Sequence, residues 1–336
     1  MLPPVATPPK LNGAERYPPA GSRAHVQRRG KAEDRVMGSD IKATIRPVGD
    51  RVGVYVQQGG WWLSNSGWVS GDDRTLLVDT CATERRTRAL LATVNRYTRP
   101  GSRDLAVAVT HGDGDHANGA GLIHGLGGEV LATPSAAAEI LSGPHLYPEV
   151  FDCADWGDIA PPAKITPITS AQTIDLGGIT VEVHPVPFVA HTRGDLVVVV
   201  PSAKVFFTGD LFCSGSFPTL QEGSLHGWLD ALRWLGRFEV HTAIPGHGEP
   251  STQRGHLSLS TSNHLHWLDE VTQPEVCDYD ALMDEARRRW PSWGGLERVA
   301  LNLRAAHAEN HGYPLDVPAA LAAMTAAAGG RIALAL

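Results

Sequence analysis

The sequence predicts an α/β protein that continues into a helical C-terminal extension. Three short apolar runs typical of strands are each followed at once by a loop that carries histidine or aspartate: residues 105–109, 205–207 and 243–244. Residues 84–97 and 225–237 show the spacing of apolar side chains that is typical of amphipathic helices. Beyond Pro250 only helical patterns occur. In α/β folds, loops at the carboxyl edge of a sheet form the functional site, so we expect the site there.

The first part of the chain is predicted to be mostly strands. Residues 52–56 and 61–69 indicate a hairpin whose turn contains Gly59 and Gly60. Residues 76–79 indicate a third strand, and the helix at 84–97 follows. Residues 142–172 are irregular and rich in proline and glycine, which favours an insertion that shapes a substrate site.

The second part is predicted to contain further strands and then helices alone. Helical spacing covers four late segments: residues 258–271, 278–289, 296–310 and 317–328. His264 and His266 are two residues apart, so they cannot share a helix face, and we interpret them as packing or surface residues. We therefore divide the chain into a proline-rich segment predicted to be disordered, an α/β domain and a helical extension: residues 1–39, 40–255 and 256–336.

Composition excludes several classes of protein. The chain of 336 residues is 42% hydrophobic and 19% charged, as in ordinary globular proteins, and its net charge of −7 does not favour a nucleic-acid surface. The four cysteines form no CxxC pair, which favours reduced thiols in a cytoplasmic protein. We find neither a signal peptide nor a transmembrane run. We hypothesise that translation begins at Met37, because strand patterning begins soon after it.

The stretch HGDGDH at residues 111–116 is the densest group of metal ligands in the chain. His111, Asp113, Asp115 and His116 follow an apolar, β-branched run directly. A polar turn is the simplest interpretation of an isolated HxD. Two histidines and two aspartates within six residues favour a metal site instead. Imidazole nitrogen and carboxylate oxygen suit zinc, iron or manganese.

Three later positions complete the candidate set. His191 lies in PFVAHTRGD, Asp210 in KVFFTGD and His247 in AIPGHGEP. Asp210 and His247 follow short apolar runs, so each is predicted on a loop just past a strand end. Any one of these side chains alone would be assigned to the surface or the core. Their common placement after strands favours one shared site.

The order of the motifs HxDxDH, HTxGD, TGD and GHG resembles that of the metallo-β-lactamase superfamily over residues 48–250. The resemblance implies an αββα sandwich, two facing sheets with helices outside, and two divalent ions at one edge. Asp79 in LLVDT matches an aspartate that lies behind the metal ligands. The ions would be bound by three residues each, with one bridging aspartate: His111, Asp113 and His191; Asp115, His116 and His247; and Asp210 between them.

Asp113 departs from the family pattern, which has a second histidine in HxHxDH. A shorter, charged side chain at this position makes the site richer in oxygen and lowers its net positive charge. Zinc remains our first choice of metal, with iron or manganese as alternatives. A weakly held first ion, which would leave a mononuclear site, is also left open. Flavodiiron proteins have a carboxylate here, but this chain has no visible flavodoxin region.

The resemblance also implies the reaction. Bound ions lower the pKa of water from about 15.7 to about 7, which permits attack on an ester, thioester, lactone or amide carbonyl. Asp115 and Asp210 are the candidate catalytic residues, because they would orient the water and carry protons. No GxSxG motif offers a competing nucleophile. An early hairpin often covers the metals in this superfamily, so Trp61 and Trp62 are predicted to line a substrate pocket. Phe217 is predicted to line it too, because it lies in the loop just past Asp210.

A narrower resemblance concerns the substrate. The segments GGWWLSNSGW, LLVDTCAT and LERVALNLRAAHAE are similar to actinobacterial lactamase-fold cyclases and thioesterases of aromatic polyketide pathways, which serve antibiotic biosynthesis. This implies a small-molecule substrate, carried by an acyl carrier protein as a polyketide. The alternative is a non-catalytic binding protein with a degenerate metal site. RNA processing is a distant third interpretation, a membrane partner is not expected, and a homodimer is left open.

Overall fold

A computed structural model describes residues 41–98 and 104–336. The predictions for residues 1–39 and for Met37 concern residues outside this part. The strands in chain order are β1 (Ala43–Gly49), β2 (Val52–Gln57), β3 (Ser66–Ser70), β4 (Arg74–Val78), β5 (Asp104–Ala108), β6 (Glu129–Ala132), β7 (Phe151–Asp152), β8 (Thr166–Pro167), β9 (Gln172–Asp175), β10 (Thr180–Pro185), β11 (Leu196–Val200), β12 (Val205–Cys213), β13 (Thr242–His247) and β14 (Ile332–Ala333). The helices are α1 (Glu84–Tyr97), α2 (Gly114–Ala117), α3 (Ala120–Gly125), α4 (Pro134–Ser142), α5 (Leu225–Leu235), α6 (Arg254–Val271), α7 (Tyr279–Arg289), α8 (Arg298–Asn310) and α9 (Val317–Ala327), with a 3₁₀ turn at Pro201–Ala203.

Two mixed sheets face each other across an apolar core. In the described residues the first sheet has the order β1-β2-β3-β4-β5-β6-β8 and the second the order β13-β12-β11-β10-β9. Side chains alternate in direction along a strand. In β11, Val198 and Val200 therefore pack between the sheets, whereas Val197 and Val199 pack on the opposite face against helices. Burial on both faces explains why this strand is a continuous run of apolar residues.

Helices cover the outer face of each sheet. Leu90 of α1, Ile123 of α3 and Ile140 of α4 pack on the first sheet. Trp228 of α5, Leu265 of α6 and Leu303 of α8 belong to the cluster on the second sheet. The layers therefore follow the order α, β, β, α, which confirms the predicted sandwich and its helical C-terminal region.

The C-terminal helices share cores with the rest of the fold. The side chains of Asp278 and Asp316 accept hydrogen bonds from the first turns of α7 and α9, as expected for N-caps. Leu301 of α8 and Leu321 of α9 pack with Trp62 and Phe151 in a separate cluster. No helix in the part of the chain that the structure describes is both long and apolar enough to cross a bilayer.

The predicted strand at residues 61–69 is wrong in its first half. β3 begins only at Ser66, and residues 59–65 form a loop, here called the tryptophan loop. Trp62 has a φ of 63°, which is incompatible with a strand. The Asn65 amide donates hydrogen bonds to the carbonyls of Pro245 and Gly248 at 2.8 and 2.7 Å. These bonds hold the loop across the edge of the second sheet, an arrangement that the β-forming tryptophans do not reveal in sequence.

Candidate metal centre

The four ligand-bearing segments meet at one edge of the sandwich. His111 follows β5, and Asp115 and His116 lie in the short helix α2. Asp210 lies in β12 and His247 ends the neighbouring parallel strand β13, so both are near the carboxyl ends of their strands. His191 lies in the connection from β10 to β11. The structure thus brings together all seven side chains that the sequence singles out, while their role as metal ligands stays a prediction.

The first group of candidate ligands consists of His111, His191 and, between them, Asp113. The Oδ2 atom of Asp113 lies 3.5 Å from Nε2 of His111 and 3.4 Å from Nε2 of His191. One ligand atom from each of these residues lies within 4.8 Å of the others, close enough to share one ion. Asp113 therefore approaches both histidines closely, although its side chain is shorter than that of the histidine usual in the family.

A second group contains Asp115, His116 and His247, whose ligand atoms also lie within 4.8 Å of one another. Nε2 of His247 is 3.2 Å from Oδ2 of Asp115. Asp210 lies between the two groups, because its Oδ2 is 3.7 Å from Nε2 of His191 and 3.4 Å from Nε2 of His247. Its position is that of the bridging residue predicted from the family resemblance.

Three of the candidate imidazoles are oriented by contacts at Nδ1. Nδ1 of His116 lies 2.9 Å from Oδ2 of Asp79, and Nδ1 of His191 donates to the carbonyl of Thr219 at 3.0 Å. Nδ1 of His111 lies 3.0 Å from the Thr110 hydroxyl, which itself donates to Asp79. A hydrogen bond at Nδ1 leaves the lone pair of Nε2 free for a metal.

The backbone beside the bridging position leaves no space for a side chain. A Cβ atom at Gly246 would lie 1.8 Å from Oδ1 of Asp210. Glycine is therefore required at this position for the aspartate to reach the centre of the site.

Charges in the site balance one another. Burial opposes ionisation of Asp210, but the neighbouring His247 and His116 outweigh it and hold the pKa of its carboxyl well below the ordinary value. Burial opposes protonation of His191, but Asp113 and Asp210 raise its pKa to about 9. Asp210 and Asp115 likewise raise the pKa of His247 to about 9 against the effect of burial. The carboxylates thus remain ionised and require cations beside them.

The residues present fit divalent ions. Nε2 of His111, His116 and His191 and Oδ1 of Asp210 are shielded from solvent and find no hydrogen-bond partner among the described residues. Leaving a buried polar atom unpaired costs about 1–3 kcal/mol. Four such atoms that converge with further carboxylates match the nitrogen and oxygen donors that zinc and related metals prefer.

The site forms the floor of a cleft that is open to solvent. One wall is apolar and consists of aromatic and aliphatic side chains: Trp61, Trp62, Phe151, Leu321 and Met324. The predicted placement of Trp61 and Trp62 beside the site agrees with this geometry. His145, Tyr147 and Phe151 come from the irregular insertion at residues 142–172.

The predicted pocket role of Phe217 is wrong. Its side chain is fully buried and is absent from the cleft lining. It packs against Trp290, Trp293 and His264, with ring centroids 5.9, 5.1 and 5.2 Å away. Its neighbours in sequence, Pro218 and Thr219, face the cleft instead.

Sequence reasoning did not identify a polar group in the cleft lining. It includes Glu139 of α4, Tyr147, Gln221 and Glu222. The Tyr147 hydroxyl donates to Glu222 at 3.1 Å and accepts from the Gln221 amide at 2.8 Å. Burial, together with Glu222 and Asp113, raises the pKa of Glu139 to about 9. For Glu139 the available signal was a single charged residue in the apolar segment PSAAAEILS.

Arg298 is the second functional candidate that the sequence did not identify. It is the first residue of α8, is buried, and lines the same cleft. Arg298 and Asn302 are four residues apart on a largely buried helix. Polar residues at that spacing among apolar neighbours were the available signal.

Comparisons with known proteins agree with the geometry. The model of the metallo-beta-lactamase superfamily matches residues 59–247. A metallo-beta-lactamase from Pontibacter korlensis is 20% identical, with 67% of this chain and 99% of that chain covered and a TM-score of 0.55. The DIM-1 metallo-beta-lactamase is 22% identical, with 67% and 97% covered and a TM-score of 0.53. These solved structures support the fold, and the family model spans more than half of the chain. The chain belongs to the metallo-β-lactamase superfamily, whose members are typically metal-dependent hydrolases that bind divalent ions.

Proposed function

We propose that this protein is a metal-dependent hydrolase or cyclase that acts on a thioester, ester or lactone carbonyl. The observation that carries the proposal is the convergence of seven histidine and aspartate side chains, five of which line a cleft with an aromatic wall. A metal centre at the base of an open cleft supports access of a small-molecule substrate to the reactive atoms. Zinc is the metal that we favour.

The candidate ligands would hold two ions in the groups predicted from the sequence. When bound, the ions supply Lewis acidity and lower the pKa of water to about 7. Asp79, Thr110 and the Thr219 carbonyl fix the orientation of the imidazoles before any substrate arrives. Asp115 and Asp210 would accept hydrogen bonds from the attacking water and receive its proton.

The cleft walls would orient the substrate. Trp62 meets Phe151 edge-on at 5.6 Å and Trp156 at 4.8 Å between ring centroids, so its ring is fixed by packing. Rigid aromatic surfaces favour a flat apolar ligand. This supports an aromatic polyketide as substrate, delivered as a thioester of an acyl carrier protein in an antibiotic pathway, in agreement with the narrower resemblance.

A non-catalytic binding protein is the second candidate. Asp113 favours it, because a carboxylate replaces the usual histidine and lowers the Lewis acidity of the site. The close approach of Asp113 to His111 and His191 favours the enzyme. Turnover decides between the two, since a binder would hold ligand without releasing a thiol.

The test is hydrolysis of the N-acetylcysteamine thioester of 2-naphthoate by the zinc-loaded protein, measured as release of the thiol. We expect His116→Ala to lower kcat/KM at least about 100-fold, because it removes a candidate ligand. His256→Ala is the matched control, since His256 is exposed at the start of α6. Equal turnover by wild type and His116→Ala, or metal-bound wild type without turnover of any acyl substrate, would refute the hydrolase proposal.

A further inference from the structure

Arg298 is a buried cation in the wall of the cleft. Its side chain and backbone together are 6% exposed. Nη1 donates to the Phe217 carbonyl at 2.8 Å, and the guanidinium carbon lies 3.9 Å from the ring centroid of Trp61. Nε is shielded from solvent and has no hydrogen-bond partner among the described residues. Burying a guanidinium with so few partners is costly unless an anion joins it.

Three carboxylates act on Arg298 through their charge, Glu297 most strongly, but none forms an ion pair with it. Glu297 accepts a hydrogen bond from Nε1 of Trp61 at 2.6 Å. Asp115 and Asp210 act on Arg298 only at longer range, and both are candidate metal ligands whose charge bound ions would neutralise. In the described part of the chain, no carboxylate lies within ion-pair distance of the guanidinium. The guanidinium of Arg298 therefore lines the cleft without a direct ion-pair partner among the described residues and can accept an anionic ligand.

We propose that Arg298 is a specificity-determining residue that binds a carboxylate of the substrate. The inference rests on the proposed function and adds the substrate class: an aromatic acyl compound with a carboxylate separate from the reacting carbonyl. The flat body would lie against Trp61, Trp62 and Phe151 on the apolar wall. Arginine suits this role because its planar guanidinium matches a planar oxyanion.

A singly charged anion fits the cleft better than a phosphate does. The cleft lining contains one arginine together with Glu139 and Glu222. Away from the metal centre, a doubly charged group would have only one arginine to neutralise it and would be repelled by any ionised carboxylate of the lining. The C-terminal helices therefore contribute charge recognition to a site whose metal ligands all come from the sandwich.

Calorimetric titration with 2-naphthoate and its neutral isostere 2-naphthamide tests the proposal on the full zinc-loaded chain. We expect wild type to bind the carboxylate about tenfold or more tightly than the amide, the effect of one charge-assisted hydrogen bond. Arg298→Gln should lose this preference, and Arg298→Lys should retain part of it. Arg288→Gln removes the same charge from an exposed position on α7 and should behave as wild type.

Carboxylate binding to the metals is the competing explanation. In that case the preference would survive in Arg298→Gln and vanish after chelation, which would overturn the proposal. Titration of wild type before and after chelation distinguishes carboxylate binding to Arg298 from binding to the metals, even if a variant does not fold. Thioester hydrolysis by the same preparations is scored separately. Wild type that hydrolyses the thioester but shows no preference for naphthoate refutes only the role of Arg298. Wild type with a clear preference but no turnover refutes only the hydrolase proposal.

Discussion

Asp79 links the candidate ligands to the sheet behind them. Its side chain is almost fully buried, and its Oδ1 accepts from the Thr110 amide at 2.7 Å. Its Oδ2 accepts from the Thr110 hydroxyl at 2.8 Å and lies 2.9 Å from Nδ1 of His116. One carboxylate thus fixes the end of β5 and the orientation of a candidate ligand.

Asp79→Asn is expected to weaken metal binding by about 10–100-fold, as changes behind metal ligands generally do. Folding should be retained, because asparagine keeps an acceptor for Thr110 and tolerates the φ of 61° at this position. Competition with a zinc chelator measures the affinity. The control is Asp280→Asn, at an exposed position on α7. Unchanged zinc affinity in Asp79→Asn would contradict this role.

Residues that form a dense local motif were predictable, and residues that reach the cleft only through packing were not. HGDGDH places four candidate ligands within six residues after a strand, so its chemistry is visible without a fold. Glu139 and Arg298 come from helices that the tertiary structure brings to the cleft. Phe217 was misplaced because proximity to Asp210 in sequence does not determine which way a side chain points.

At the scale of elements, α6 and α7 are joined through aromatic packing around His264. The histidine is fully buried, and both ring nitrogens lack hydrogen-bond partners among the described residues. Its ring centroid lies 5.1 Å from that of Trp290 and 5.8 Å from that of Trp267. Burial lowers the pKa of His264 to about 3, so the ring is neutral in the folded protein.

His264 is expected to make the fold acid-sensitive. In the unfolded chain His264 takes up a proton as the pH falls through about 6.5, whereas in the folded chain it does so only near pH 3. The free energy of unfolding therefore decreases as the pH falls between these two values. Relative to pH 7, the loss at pH 5 is about 2 kcal/mol. Urea unfolding of wild type and His264→Phe at both pH values measures it. An equal loss of stability in the two proteins would refute the assignment.

Elements with strong local signals were predicted closely. The spacing at residues 84–97 coincides with α1, where Thr83 supplies the capping oxygen and Glu84 begins the helix. The hairpin at 61–69 was predicted too long, because tryptophans favour strands in general but here belong to the tryptophan loop. That loop is fixed by hydrogen bonds from Asn65 to Pro245 in β13 and to Gly248 just after it, 180 and 183 residues later in the chain.

For the whole molecule, the helical extension is part of the core rather than an appendage. Leu265, Trp267 and Leu303 pack in the same cluster as Phe206 and Trp228 of the sandwich. Glu309 of α8 accepts from the backbone amide of Leu225 at 2.6 Å at the start of α5. The family pattern ends near residue 250, so sequence motifs alone did not indicate how firmly these helices are integrated.

A chain that ends at residue 255 is expected to be insoluble or to lose cooperative unfolding. Each buried side chain such as Leu265 or Trp267 contributes about 1.5–3 kcal/mol, and losing several exceeds the total stability of about 5–15 kcal/mol of a typical domain. Soluble yield and thermal unfolding of the shortened chain measure this. A shortened chain that is soluble and unfolds at the midpoint of the full chain would contradict it.

The zinc content of the full chain after equilibrium dialysis, measured by plasma mass spectrometry, tests the central claim most directly. Two candidate ligand groups joined by Asp210 predict about two zinc ions per wild-type chain, and fewer than about one in Asp210→Ala. His256→Ala should match wild type. A wild-type chain that retains no zinc, or an Asp210→Ala chain that retains as much as wild type, would contradict the assignment of these side chains as a metal centre.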